Sequence, residues 1–386
     1  YPDIISLDGS LKVVTIVIEF DPNEIGLLEE FDIILYDDRG NILLVYDPFI
    51  SGFDFRQKLT LDTTQLASDV TADHSILVYV DPTNTDFWTG DTLGTGNGIT
   101  FAQSNETTQY DFNIEAFDNA DNNAWFWVEI TETFTSATDS EAFIYYGGPD
   151  TDFSDGSGAY PSTYTAVWHL QETSGTLGAD STSNGFDLTH VNTPTLDVRS
   201  QIDRGVTYTE SGSEHSLNGT LLDDGFTSIS VSLWAKKPVQ WDSGAVNEDA
   251  IFDKTNNAAS EDNIAFAWRT DGKIRWKYFD QNQVEHTVDS SKTTWAANTW
   301  FHLLVTMDTD ADEMVFYVNG STTDGGTTSS VMPAFLAGTA LDWLLSARTI
   351  SADFSDQTLD EVKVFRNVTL SADEAELIFL SESNQL

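Results

Sequence analysis

The segment Asp180-Ser-Thr-Ser-Asn184-Gly185 gathers a carboxylate, a side-chain carbonyl and several main-chain carbonyls in one Gly-closed loop. Hard oxygen donors of this kind suit Ca²⁺, which takes roughly six to eight of them. The same residues also suit an Asx-turn, in which the carboxylate caps its own backbone, so two readings stand. Tryptophan suggests a second chemistry. Eleven are present, and sugar sites use exposed aromatic faces beside carboxylates and amides. Trp241, in Gln-Trp-Asp-Ser-Gly, and Trp295, in Thr-Thr-Trp-Ala-Ala-Asn, lie in loop-like text. They are the candidates for such a platform, against the plainer role of covering loop bases. A third set is cationic. In Trp268-Arg-Thr-Asp-Gly-Lys-Ile-Arg-Trp-Lys-Tyr278, Asp271-Gly272 reads as a hairpin turn, and alternation puts Lys273, Arg275 and Lys277 on one face. An anionic glycan or an acidic neighbouring subunit would fit there, and a solvated strand face would look the same.

Catalytic patterns are missing from the text. There is no cysteine, no Gly-X-Ser-X-Gly elbow and no His-Glu-X-X-His. The six histidines are scattered, and His302, in Trp-Phe-His-Leu, reads as a packed structural residue. Asp308-Thr-Asp310-Ala-Asp312 alternates as the paired carboxylates of a glycosidase would, but it stands just before a strand. The expectation is a protein that is not an enzyme.

Composition bounds what else is possible. At 386 residues, 40% of them hydrophobic, the chain can bury two or three cores. Sixty-three acidic residues against 17 basic give a net charge of −46. Such a field fits a saline or calcium-rich exterior, where salt screens the repulsion. It excludes nucleic acid, since no basic surface could neutralise phosphates. No apolar run approaches the ~20 residues that span a bilayer, so no membrane insertion is expected in this segment. The opening Tyr1-Pro2, in place of Met, reads as a processed chain or a portion of a longer product.

The elements that must position these residues are nearly all strands. Leu11 to Phe20 is β-branched and ends at Asp21-Pro22-Asn23. Phe31 to Tyr36 and Asn41 to Tyr46 flank a turn at Asp37 to Gly40. Six further short strands fall between Phe53 and residue 150, a spacing that suggests a sandwich. Thr151 to Ser162 is a Gly-, Ser- and Asp-rich boundary loop. Asn319-Gly320 marks a type I′ turn. The one convincing helix starts at the capping box Ser371-Ala-Asp-Glu374 and runs to about Leu380.

Six phrases occur in fixed order in the second half: Trp168-His-Leu-Gln-Glu172, Gly178-Ala-Asp-Ser-Thr-Ser-Asn-Gly185, Ser228-Ile-Ser-Val-Ser-Leu-Trp234, Trp300-Phe-His-Leu-Leu-Val-Thr306, Phe316-Tyr-Val-Asn-Gly320 and Leu359-Asp-Glu-Val-Lys-Val-Phe365. Together they resemble a laminin-G-type domain of the concanavalin A-like class, over roughly residues 163 to 382. The resemblance implies a two-sheet jelly roll that binds rather than catalyses, with a short helix after its closing strand. It implies that Trp168, Trp234 and Trp300 are buried. It also brings the Asp180 loop towards Asp360, so that Asp180, Asn184 and Asp360 become the calcium ligand set, while alternation sends Glu361 to the opposite face. Residues 53 to 150 resemble an uncharacterised β-rich domain that precedes such modules in microbial surface proteins, through an Arg-X-Lys strand, Asp86-Phe-Trp88, a Trp-Val strand and a closing Tyr-Tyr-Gly147.

The expected architecture is all-β, with tandem β-sandwiches: a strand-rich segment at 1–50, a surface module at 53–150, and a concanavalin A-like domain at 163–386. The expected function is adhesion outside the cell, on a cell or virion surface, to a glycan or another surface protein. A self-assembling subunit of a filament, layer or appendage is the alternative, and a polysaccharide-degrading enzyme the second.

Overall fold

The computed structural model describes residues 50 and 52–386, save 72, 92, 107, 220–225, 256–261, 334–341 and 350–351, and also the backbone of two early strands, Ile33–Tyr36 and Ile42–Tyr46. Those two pair antiparallel. The strand expected at Leu11 to Phe20 lies outside the described residues.

The first sandwich faces a four-stranded sheet against a three-stranded one. Phe55–Leu61, Ser140–Tyr146, Thr100–Gln103 and Gln109–Tyr110 form the former. His74–Val80, Asn123–Ile130 and Phe112–Asp118 form the latter. Alternation sends Phe112, Phe126 and Val128 inward against Phe101, and the Phe101 ring meets Phe112 and Phe126 edge to face at 5.1 and 5.4 Å. Asp86-Phe-Trp88 lies on a short helix, Thr85–Gly90, capped by Asn84. Six residues are too few for a helical period to show in sequence.

The second sandwich is built of two eight-stranded antiparallel sheets. At the centre of one lie Gln357–Arg366, Ser228–Lys236 and Phe301–Asp308. Alternation in the latter two, and on either side of a bulge in the first, sends Ile229, Val231, Leu233, Leu303, Val305, Leu359, Val362 and Val364 into the sandwich core. The opposite face carries Ser230, Ser232, Trp234, His302, Glu361 and Lys363, and these are buried too. A polar strand face normally meets water. Here the first sandwich and the C-terminal helix cover it.

That helix, Ala372–Glu382, has the reciprocal Ser371/Glu374 capping box expected of it. Its Leu377 and Leu380 complete the core of the first sandwich, while Ala375 and Ile378 join a cluster with Trp127, Tyr164 and Leu304 between the two. Polar ties fix the seat. Leu77 N donates to Ser381 Oγ at 2.8 Å, Ala67 N to Asp373 Oδ1 at 2.8 Å, and His74 Nε2 lies 3.2 Å from Glu374 Oε1.

The alternation expected for Glu361 fails. One extra residue enters this strand opposite Leu233, because Ser232 pairs with Lys363 but Trp234 with Asp360. Glu361 takes φ +50° in the bulge. A bulge resets which way side chains point, so Asp360 and Glu361 both leave the core face. A matching bulge occurs in the first sandwich. There Ile114 pairs with Phe126 and Ala116 with Trp125, and the extra residue is Glu115.

Candidate functional site

The two bulges meet at the junction of the sandwiches. Glu115 Oε2 accepts from Trp127 Nε1 at 2.6 Å and lies 3.7 Å from His169 Nδ1. His169 Nδ1 is 2.8 Å from Glu361 Oε1, and its Nε2 is 2.7 Å from the Tyr160 hydroxyl. Lys363 Nζ donates to Glu361 Oε2 at 2.8 Å and to Glu382 Oε1 at 2.6 Å, and rests 4.1 Å above the Trp127 ring. Glu382 Oε2 accepts from Trp234 Nε1 at 2.6 Å. Burial, reinforced by Glu361 and Asp360, pushes Glu115 well above the usual carboxylate range. Burial also raises Glu382. Glu361 feels the same burial, but the facing His169 and Lys363 hold it down to about 2. Burial, with help from the Lys363 charge, lowers His302 to about 3. Most of this network holds the junction together, with Lys363 as its fully buried ammonium.

The loop at Asp180 has a different geometry. Asp180 Oδ1 accepts from Val167 N and Thr182 N, both at 3.0 Å, and Oδ2 from Phe186 N at 2.8 Å and Thr182 Oγ1 at 2.9 Å. Asn184 Nδ2 donates to Thr165 O at 2.9 Å. Asp360 is buried and accepts from Ile202 N at 2.8 Å and Ser200 Oγ at 2.9 Å. Of the two readings of the loop, the geometry is that of a backbone cap: Asp180's four acceptor positions are filled from its own chain. Asp360 serves a different turn.

The two loop tryptophans are not a platform. Trp295 is fully buried and Trp241 nearly so, at 7% exposure. Their backbones pair through two hydrogen bonds of 3.0 and 2.8 Å. Each indole donates to a hairpin carbonyl, Trp241 to Arg269 O and Trp295 to Gly272 O. Loop text proved buried because two loops pair with each other, a contact no local pattern reports. Trp168 and Trp234 are buried as expected, whereas Trp300 is half-buried beneath Lys236, 4.5 Å from its ring.

The cationic face exists as alternation requires, with Ile274, Trp276 and Tyr278 in the core. The neighbouring strand Glu285–Asp289 brings matching acids. Arg275 Nη2 donates to Asp289 at 2.8 Å, Lys273 lies 3.8 Å from Asp289, and Lys277 lies 3.6 Å from Glu285. Asp308 and Asp312 also cap backbone, at Asp310 N, Ala311 N and Met332 N.

One concavity lies beside the junction and is lined from both sandwiches. A cleft of about 260 Å³ is lined from the first sandwich by Leu77, Tyr79 and Trp125, and from the second by the turn 199–203 and by Glu382, Ser383 and Asn384. Tyr79 and Trp125 are half-buried and stack at 5.1 Å, with ring planes 21° apart. The Arg199 side chain is exposed at this cleft and makes no salt bridge or hydrogen bond among the described residues, and its charge acts on Asp203 and Tyr79 beside it. Sequence carried half of the signal. With Phe126 and Val128 inward, Trp125 and Trp127 must point away from their own core. What they face depends on the second sandwich.

Among solved structures, the chain is similar to the binding domain of Paraclostridial Mosquitocidal Protein 1, at 15% identity and a TM-score of 0.45, covering 57% of this chain and 52% of that one. It is similar to the botulinum neurotoxin serotype D ligand binding domain in complex with N-acetylneuraminic acid, at 14% identity and a TM-score of 0.42, covering 56% and 50%. It is also similar to domain 4 of an extracellular arabinanase from Geobacillus stearothermophilus in complex with arabinotriose, at 16% identity and a TM-score of 0.43, covering 56% and 98%. The chain spans about half the length of the two toxin domains. No curated protein matches it. Residues 209–376, which lie in the second sandwich and the helix after it, match the family model described as the concanavalin A-like lectin/glucanases superfamily.

Proposed function

We propose that this chain is a glycan-binding part of an extracellular surface protein and that it takes its saccharide in the junction cleft. The observation that carries this reading is the stacked Tyr79–Trp125 pair in one cleft with Arg199. Sugar rings place their C–H faces on aromatic rings, while a guanidinium and amides address hydroxyls or a carboxylate. Gln201, Asn384 and Arg199 supply those donors. The jelly-roll class is consistent with binding, and the acidic surface suits a saline exterior.

Binding without hydrolysis is part of the same proposal. Glycoside cleavage takes two carboxyl groups about 5–10 Å apart across the bond. The cleft's two carboxylates are engaged elsewhere: Glu382 by Lys363 and Trp234, and Asp203 by Arg204 at 3.6 Å. The test is a glycan array followed by calorimetry on the best hit. Trp125→Ala should weaken binding at least tenfold while the far-ultraviolet circular dichroism stays unchanged. Arg199→Gln should weaken acidic glycans more than neutral ones. Full affinity in a folded Trp125→Ala protein would remove the cleft from consideration.

A further inference from the structure

We infer that Glu115, His169 and Glu361 form a site for one first-row divalent cation, Zn²⁺ or Mn²⁺, that bridges the two sandwiches. One ligand atom from each residue lies within 4.8 Å of the other two. Ligands about 2.1 Å from a tetrahedral Zn²⁺ stand about 3.4 Å apart. The observed separations of 2.8 Å from His169 Nδ1 to Glu361 and 3.7 Å to Glu115 bracket that spacing. One imidazole with two carboxylates suits Zn²⁺ or Mn²⁺ better than Ca²⁺, which prefers oxygen alone.

Three further observations separate this group from an ordinary acidic cluster. The first is an orphan: Glu115 is fully buried, and while its Oε2 faces His169 and accepts from Trp127, its Oε1 has no hydrogen-bond partner. A buried carboxylate oxygen without a donor is costly unless a cation or proton meets it. The second is charge. Glu115, Asp360, Glu361 and Glu382 are buried together, and among the described residues Lys363 is the fully buried ammonium beside them, with the half-buried Lys236 acting on Asp360. The third is construction. Both glutamates are the extra residues of β-bulges, one in each sandwich, and the bulges aim them at the same histidine. An outer shell is present as well. Tyr160 fixes His169 Nε2, Trp127 fixes Glu115 Oε2 and Lys363 fixes Glu361 Oε2.

All three residues are closed off from solvent, so the cation enters as the sandwiches close. The whole chain is therefore unfolded with chelator and refolded with Zn²⁺ alone or Mn²⁺ alone. Refolding is done in about 0.5 M NaCl, where a Debye length of about 4 Å suppresses binding to surface carboxylates. After gel filtration, about one ion per chain should remain, with a higher melting temperature than the chelated protein. Glu115→Gln, which keeps an acceptor for Trp127, should retain at least tenfold less metal, and Asp180→Asn should retain as much as the parent. Pulsed electron paramagnetic resonance on the Mn²⁺ form of the unaltered chain should show coupling to one imidazole nitrogen. Three results would overturn the site: no retained ion, equal retention in a folded Glu115→Gln protein, or bound Mn²⁺ without nitrogen coupling. The last decides the matter even if the variant fails to fold. A proton shared among the glutamates would then be what balances the junction.

Discussion

The two faces of the strands Ser228–Lys236, Phe301–Asp308 and Gln357–Arg366 are equally buried and differ in everything else. The inner face is Ile, Val and Leu, closed by the opposing sheet. The outer face is Ser232, His302, Glu361 and Lys363, closed by another sandwich and a helix. Stability on the inner face comes from removing apolar area from water and tolerates small errors of geometry. On the outer face, desolvated charges are stable only while each has its partner. Burial alone therefore says little about how a surface is held.

Removing one member from each face tests the contrast most strongly. Lys363→Ala strands Glu361 and Glu382 without their shared cation and should cost about 4 kcal/mol in urea unfolding. Leu303→Ala should cost about 3 kcal/mol, through a cavity and lost transfer energy. Equal, small losses in both would erase the distinction. A pH effect should follow on the outer face only. His302 is held down to about 3 in the fold and returns to about 6.5 when unfolded. Between those values the unfolded chain binds the extra proton at His302, so this residue's contribution to stability falls as pH falls, against the opposite contribution of the raised Glu115 and Glu382. From pH 6.5 to 5 this amounts to about 2 kcal/mol. His302→Gln should flatten that limb relative to the parent; identical slopes would contradict it. Asp180→Ala, which uncaps a loop, should cost about 1–2 kcal/mol by the same assay, equally in calcium and in chelator. A loss confined to calcium-loaded protein would return the loop to metal binding. Lys273→Ala, on a half-exposed strand face, should change stability by less than about 0.5 kcal/mol.

Much of the inner face was readable beforehand. Alternation in Ser228 to Trp234 separates the core residues from the rest, and Ser371/Glu374 and Asn319-Gly320 mark the helix start and the turn they form. On the outer face the burial of Trp234 and His302 was readable, but the polar network was not, for definite reasons. Polar residues at alternate positions look the same whether water or protein covers them. The bulge that turns Glu361 has no local signature. His169 and Glu361 meet across 192 residues, and Glu115 arrives from another sandwich. Trp241 and Trp295 failed similarly, since each looks like an exposed loop residue until its partner loop is known.

The seat of the C-terminal helix also bears on the order in which the protein can be made. Leu377 and Leu380 belong to the core of a sandwich whose own strands lie between residues 55 and 146. Asp373 holds Ser68 across 305 residues. During synthesis, the first sandwich emerges with one side of its core unfinished and stays so until the helix Ala372–Glu382 leaves the ribosome. Its final closure is a late, long-range event of the kind that slows folding. A chaperone that shields the open side of that core would protect this chain at its most exposed moment.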